Sequence, residues 1–487
     1  MRRPVFVSIL VLWVVMLGWL VQRTWRPTAE GVVPAPRAPE LGEQWMGVYY
    51  KDHKVGYTRE SMTADGDGFQ FSEDALLRVT VMDARQTVRT HVSGHATPAY
   101  ALSDVQFELS SGVGNLTASA VVQGAALHIT LRSGAETTEQ TLALSEPVYL
   151  PSTLRAAIGR DTLQPGKQLA AVVFDPMTLK NEPMRITVES QESLPGGGNG
   201  VRAWRLHEEF HGLQTTVWID DGGTVLREEA PMGFTSVHES AEQALHGGWQ
   251  SNDAALDLVA SAAVPVARPI DDPRHRRRLR LRLSGIALEN VPSDDEQQRD
   301  GAVLLIVRPD AATVESYPLP YRDGHAAELA PTAFLQSDHP RIRALAQTIL
   351  GGEHDAKAAA VRLNDWVYEH LRKVPTISIP NALQVLDMGE GDCNEHATLL
   401  AALARAAGLP ARVAAGAVYL DGAFYYHAWC EVWLGRWVSI DPALHQFPAD
   451  ATHVKFVNGD LDEQMAMLGI IGRLGIEVLD DNTPGAG

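Results

Sequence analysis

The sequence predicts an α+β protein made of an N-terminal transmembrane helix, a mostly antiparallel β domain and a C-terminal domain of mixed helices and strands. Three observations support this. An uncharged run from Pro4 to Val21 is about long enough to span a bilayer core. From Trp45 to about Ser236, short apolar stretches with period-two alternation are separated by turn residues. After Pro340 the periodicity changes to that of helices, and strands follow beyond Gly408.

Length and charge narrow the field. At 487 residues the chain exceeds one ordinary core, and a length prior gives two or three domains. Its 41 basic and 60 acidic side chains leave a formal charge of −19, which argues against nucleic acid as a partner. Only 2 cysteines occur, both in the C-terminal domain, so the chain has no disulfide framework.

Arg2-Arg3 precedes the apolar run, no small-residue cleavage site follows it, and residues 1–25 read as an uncleaved anchor. A short tail ahead of a single anchor stays cytoplasmic, which predicts a single-pass inner-membrane protein with periplasmic or extracytoplasmic domains. Residues 26–44, with Pro27, Pro34, Pro36 and Pro39, form an extended linker. Residues 45–250 form the antiparallel β domain, with Asp220-Asp221-Gly222-Gly223 as one of its hairpin turns. Its scattered His and Glu residues read as a solvated face.

Residues 251–334 form a connecting β segment. Within it Arg278 to Leu283 alternates arginine with leucine, a strand with leucines inward that can pair with Ala302–Val307. Residues 335–470 form the domain that carries the chemistry, and 471–487 a C-terminal tail. Ile342, Leu345, Ile349 and Leu350 share one face of a helix opened by Pro340. Leu363, Trp366, Val367, His370 and Leu371 recur at helical spacing in a second.

The next helix opens at Cys393. Ala397, Leu400, Ala401 and Ala404 mark its buried face, Asp392 is the N-cap, Glu395 completes a capping-box pattern, and Gly408-Leu409-Pro410 ends it. A thiol in the first helical turn lies at the positive end of the macrodipole, which favours the thiolate. Beyond the helix, Arg412–Leu420 and Phe424–Trp433 are strands joined by the hairpin turn Asp421-Gly422. Alternation puts Tyr425, His427, Trp429, Glu431 and Trp433 on one face and turns Cys430 to the other. A third strand, Arg436–Asp441, stops at Pro442. If Trp433-Leu434-Gly435 is the connecting loop, Val432 pairs with Arg436, and His427 falls opposite Asp441. Cys393, His427 and Asp441 then supply nucleophile, base and orienting carboxylate.

The runs Gly391-Asp392-Cys393-Asn394-Glu395-His396-Ala397, Ala402-Leu403-Ala404-Arg405-Ala406-Ala407-Gly408, His427-Ala428-Trp429-Cys430-Glu431-Val432-Trp433 and Trp437-Val438-Ser439-Ile440-Asp441-Pro442 resemble the core of the bacterial transglutaminase-like proteins. The resemblance covers roughly residues 335 to 460. It implies a papain-like transglutaminase-core α+β domain with catalytic Cys393, His427 and Asp441. It also implies acyl transfer or hydrolysis on amide bonds of peptide or protein substrates, here in the cell envelope, with no cofactor and no metal. Relatives carry a side chain upstream of the cysteine that helps bind the oxyanion, for which Gln384 and Tyr368 are the candidates. His396, one turn beyond Cys393, is a rival base with nothing near it in sequence to orient its ring. A metal site built from Cys393, His427, Cys430, His445 and His453 is disfavoured, because strand alternation separates His427 from Cys430. The alternative to an enzyme is a catalytically silent scaffold that binds peptides in an envelope assembly. Trp429, Trp433 and Trp437 read as core and cleft wall.

Overall fold

The computed structural model describes residues 30–31 and 42–479, apart from 83, 113, 134–135, 159–162, 196–199, 247–256, 380 and 460. The anchor expected over residues 1–25 lies outside the described residues. Among those described, no helix is long and apolar enough to cross a membrane. The inner-membrane assignment therefore has no support in the structure and is withdrawn. The α+β expectation is also corrected, because the chain is mostly β, with 48% strand and 21% helix. The excess comes from polar strands such as Ala84–Ala96, whose sequence ARQTVRTHVSGHA carries little apolar signal yet pairs along its length with Gly68–Val81. Partners on both sides, not intrinsic preference, make such a segment a strand.

Those strands belong to a 16-stranded sheet. Two antiparallel meanders compose most of it. One runs from Gly42–Tyr50 through successive hairpins to Glu136–Ala143, and the other from Gln168–Asp175 to Phe234–Glu239. They join where Phe234–Glu239 pairs antiparallel with Gly42–Tyr50, Val237 facing Gly47. Period-two alternation sets the inner face: in Gly114–Gln123, Leu116, Ala118 and Ala120 are buried while Asn115 is exposed and Thr117 and Ser119 are half-buried. The Glu residues read as a solvated face include a clustered exception. Glu208 is 2% exposed and takes a bidentate bond from Arg155 at 3.0 and 2.8 Å, Glu228 joins the same guanidinium at 3.2 Å, and Glu60 and Glu73 are paired across adjacent strands nearby.

The C-terminal half is organised around the helix Cys393–Ala406, whose residues from Glu395 to Arg405 are all buried. Helices Pro340–Leu350, Ala356–His370 and Ala382–Met388 pack around it. On another side lies a sheet in which Ala423–Trp433 pairs with Ala411–Leu420, Trp437–Ile440 and Val264–Pro265, while Val454–Asn458 pairs with Ala411–Leu420. Val413, Cys430, Val432 and Ile440 face the helices, whereas Ala415, Ala417, Phe424 and Phe456 pack on a second, four-stranded sheet. In that second sheet Arg278–Ser284 lies between Val303–Val307 and Gly475–Leu479, with Leu279, Leu281 and Leu283 buried. Residues 475–479, expected in a tail, are therefore part of the core. Ile476 supplies the apolar contact that the tail reading overlooked.

The two halves touch next to the Cys393–Ala406 helix. Gln86 donates to the Pro375 carbonyl at 3.0 Å, and Phe334 and Ile379 are buried in the core of the large sheet. The segment 374–379, which leads towards Cys393, is thus held by the β domain.

Candidate active site

Local sequence builds the start of the Cys393 helix as the capping rules require. Asp392 Oδ1 accepts from the Asn394 N–H at 3.0 Å, and Glu395 Oε2 accepts from the Asp392 N–H at 2.8 Å. Glu395, only 1% exposed, also accepts from Thr376 Oγ1 at 3.1 Å and from the Ser378 hydroxyl. Gly391 is required by this packing: a Cβ there would lie 2.3 Å from the Glu395 Cβ.

Cys393 is half-buried in the first turn, and the Ala428 backbone N–H points to its sulfur, which places the thiol beside the peptide that follows His427. The expected thiolate does not follow. Burial, and then the neighbouring Asp392 carboxyl, push the Cys393 thiol well above its ordinary value. Asp392 is itself pushed up by burial and by Glu395. Loss of solvation disfavours the charged form here, against the helix-terminal field that favours it.

His427 and Asp441 are brought together, though not by the expected register. Trp433 pairs with Trp437 and Cys430 with Ile440, so the loop is Leu434-Gly435-Arg436 and the third strand is shifted by two residues. The φ of 77° at Gly435 is the left-handed turn conformation that a side chain would resist. A shift of two preserves the face, and His427 meets Asp441 diagonally, with Nε2 2.7 Å from Oδ2. A carboxylate only accepts, so Nε2 carries the ring proton and Nδ1 is left as the ring's acceptor. Across the hairpin His427 pairs with Gly416, where a Cβ would lie 1.9 Å from the Val454 carbonyl oxygen.

Asp441 is fully buried and takes four bonds. Besides His427, Oδ2 accepts from His453 Nε2 at 3.0 Å, and Oδ1 accepts from the Ala443 and Leu444 N–H groups at 2.7 and 2.9 Å. Burial would raise its carboxyl, but His427, and then His453, hold it well below the usual range. Sequence reasoning missed this role of His453. The residue lies 12 positions from Asp441, beyond any helix or hairpin periodicity.

The remaining candidates separate. His396 is fully buried, its Nδ1 bonded to the Asp392 carbonyl at 2.6 Å, its Nε2 without a partner among the described residues, and burial lowers its pKa. Gln384 lies against Gly114 of the β domain and bonds Asn381 at 3.4 Å. Tyr368 stacks on His445 at 4.2 Å with Lys373 over the ring at 4.3 Å. Trp429 is fully buried, and its indole N–H finds no acceptor among the described residues. Cys430 is fully buried on the face away from His427, and His445 bonds Asp365 at 2.9 Å, so the five-residue metal set is not assembled. His427, Asp441 and His453 do have ligand-like spacing, but both rings already bond one carboxylate oxygen and need no ion to account for the grouping.

The site thus sets a thiol in the first turn of a capped helix against a hairpin bearing a carboxylate-bound imidazole. Residues 343–442, which contain all three predicted site residues, match the transglutaminase-like superfamily. No curated protein matches the chain significantly. Among solved structures, the chain is similar to a Cytophaga hutchinsonii protein provisionally named a cysteine protease, at 16% identity over 43% of this chain and 89% of that one, with a TM-score of 0.30. It is also similar to a β-barrel-like protein of a domain of unknown function from Brucella abortus, at 10% identity over 42% of this chain and 98% of that one, with a TM-score of 0.33.

Proposed function

We propose that this protein is a cysteine enzyme that transfers or hydrolyses acyl groups at amide bonds of peptide or protein substrates, with Cys393 as nucleophile, His427 as general base and acid, and Asp441 as the orienting carboxylate. The observation that carries this reading is the 2.7 Å bond from His427 Nε2 to the buried Asp441, beside a thiol in the first turn of a capped helix. With the thiol neutral at rest, His427 Nδ1 accepts its proton as sulfur attacks the carbonyl carbon. The imidazolium, stabilised by Asp441, then gives that proton to the leaving amine as the C–N bond breaks, and a thioester remains on Cys393. Water or a second amine attacks the thioester, His427 takes its proton, and sulfur leaves. Hydrolysis and transfer differ only in that acceptor. The Cys393 backbone N–H at the helix start supplies one oxyanion donor in this reading.

The test is electrophilic labelling of the full chain, followed by an assay with a peptide amide in the presence and absence of a free amine. Labelling at Cys393 with release of ammonia or amine supports the enzyme. Absence of both returns the peptide-binding scaffold.

A further inference from the structure

The carboxylate that orients His427 is shared with a second, wholly buried imidazole. His453 is 0% exposed, with Nε2 3.0 Å from Asp441 Oδ2 and Nδ1 3.2 Å from the Asp450 carbonyl oxygen and 3.3 Å from Asp450 Oδ1. Each of these partners can only accept a hydrogen bond. A neutral imidazole has one N–H, so satisfying both sides requires both ring nitrogens to be protonated. We propose that His453 is a positioning residue, held as an imidazolium between Asp441 and Asp450, which balances the Asp441 charge and so keeps Cys393 and His427 as neutral thiol and imidazole at rest. The proposal rests on the cysteine-enzyme reading given above.

The surroundings favour that charge state. Asp450 is anchored by the Thr452 N–H at 2.8 Å, by Gln446 Nε2 at 2.8 Å, and by an ion pair with Arg274 at 2.9 Å. The other cation close by, Arg308, donates to the His453 carbonyl at 2.9 Å, but its charge is matched by Glu296 at 2.6 Å. From the hairpin, the ring of His427 lies 5.8 Å away and that of Trp429 5.2 Å away, edge-on. From the nucleophile helix, Cys393 and His396 feel Asp441. Two carboxylates therefore face His453, and together they raise its pKa against the opposing effect of burial.

The consequence falls on His427. An unbalanced Asp441 stabilises an imidazolium at its neighbour and with it a thiolate at Cys393. With His453 charged, Asp441 retains its hydrogen bond to His427, fixing the ring, while much of its electrostatic pull is spent on a permanent cation. The device would hold the nucleophile in a weakly reactive form until substrate excludes water and the proton moves.

His453→Gln retains an N–H for Asp441 without the charge, and Asp450→Asn weakens the charge on His453 from the other side. The measurement is the rate of Cys393 alkylation by iodoacetamide against pH, on the full chain, with folding checked by thermal melting. The wild type should show one step, at high pH. Both variants should gain reactivity near pH 6, on the order of tenfold. A purely structural role would lower reactivity at every pH without creating this low-pH limb, and such a result overturns the proposal while leaving the enzyme reading in place. No alkylation of the native wild type at any pH overturns both. Should neither variant fold, the side-chain spectrum of 15N-histidine-labelled wild type decides: an imidazole with both nitrogens protonated must persist to pH 8, and its absence refutes the inference.

Discussion

Replacing Asp441 by Asn tests the site at its most constrained point. The carboxylate accepts four hydrogen bonds, and Asn retains an oxygen for only one side of that set. With its oxygen left on the Ala443 and Leu444 N–H groups, its NH2 faces two imidazole nitrogens that both carry protons, at 2.7 and 3.0 Å. His427 must then move its proton to Nδ1, the atom needed as base, and activity should fall by about 10² to 10⁴. That corresponds to about 3 to 5 kcal/mol of barrier. Stability should fall as well, because His453 loses the anion on one side in a fully buried site, where breaking an ion pair costs about 3–5 kcal/mol. The pH dependence has a definite sign. The carboxyl of Asp441 is depressed in the folded state, so its stabilisation is present above about pH 4, its unfolded value, and is lost as pH falls further. The variant should therefore be much less stable than the wild type at pH 7, with the gap narrowing towards pH 2. The assays are Cys393 alkylation, amide turnover, and denaturant melts across that range. Unchanged turnover and an unchanged melting curve would show that Asp441 is merely a strand-end residue before Pro442.

Other expectations follow from single contacts. Native alkylation should modify Cys393 and spare Cys430, which is fully buried with its thiol pushed up by burial; predominant native modification of Cys430, mapped by mass spectrometry, would reverse the assignment of faces. Glu395→Ala removes the carboxylate that caps Asp392 and receives Thr376 and Ser378, and should cost about 2–3 kcal/mol in a guanidinium melt, with Glu395→Gln retaining part of it. Arg308→Met leaves Glu296, 2% exposed, without its cation and should destabilise by about 3–5 kcal/mol; a loss below 1 kcal/mol would show that Ser439 alone satisfies that carboxylate. In the β domain, burial, and then Glu73, push Glu60 up to about 7. A raised carboxyl contributes stability below its unfolded value near pH 4.5 and loses it as pH climbs through 7. Glu60→Gln should consequently match the wild type near pH 4 and exceed it at pH 8 by up to about 3 kcal/mol, read from melts at the two pH values.

What could be read from the sequence alone was local. The Asp392–Glu395 capping box, the first-turn position of Cys393, the burial of Leu279, Leu281 and Leu283, and the opposite faces of His427 and Cys430 each follow from spacings of two, three or four residues. Those spacings are set by the backbone itself and survive any packing. The match over residues 343–442 spans the Asp392–Glu395 cap, Cys393 and both of those strand positions. Long-range partners decided the rest. The Leu434-Gly435-Arg436 loop shifted the third strand by two residues, which alternation could not detect because a shift of two leaves every side chain on its own face. Polar strands such as Ala84–Ala96 became strands because neighbours were there to pair with them, turning an expected α+β chain into a mostly β one. The thiol is pushed up by burial, a property of the whole fold that acts against the field of one helix end. His453 reaches Asp441 only through the turn that ends at Asp450, and no period in the sequence connects them. Two charges of opposite sign can share a dry interior only once tertiary structure has put them within hydrogen-bonding distance.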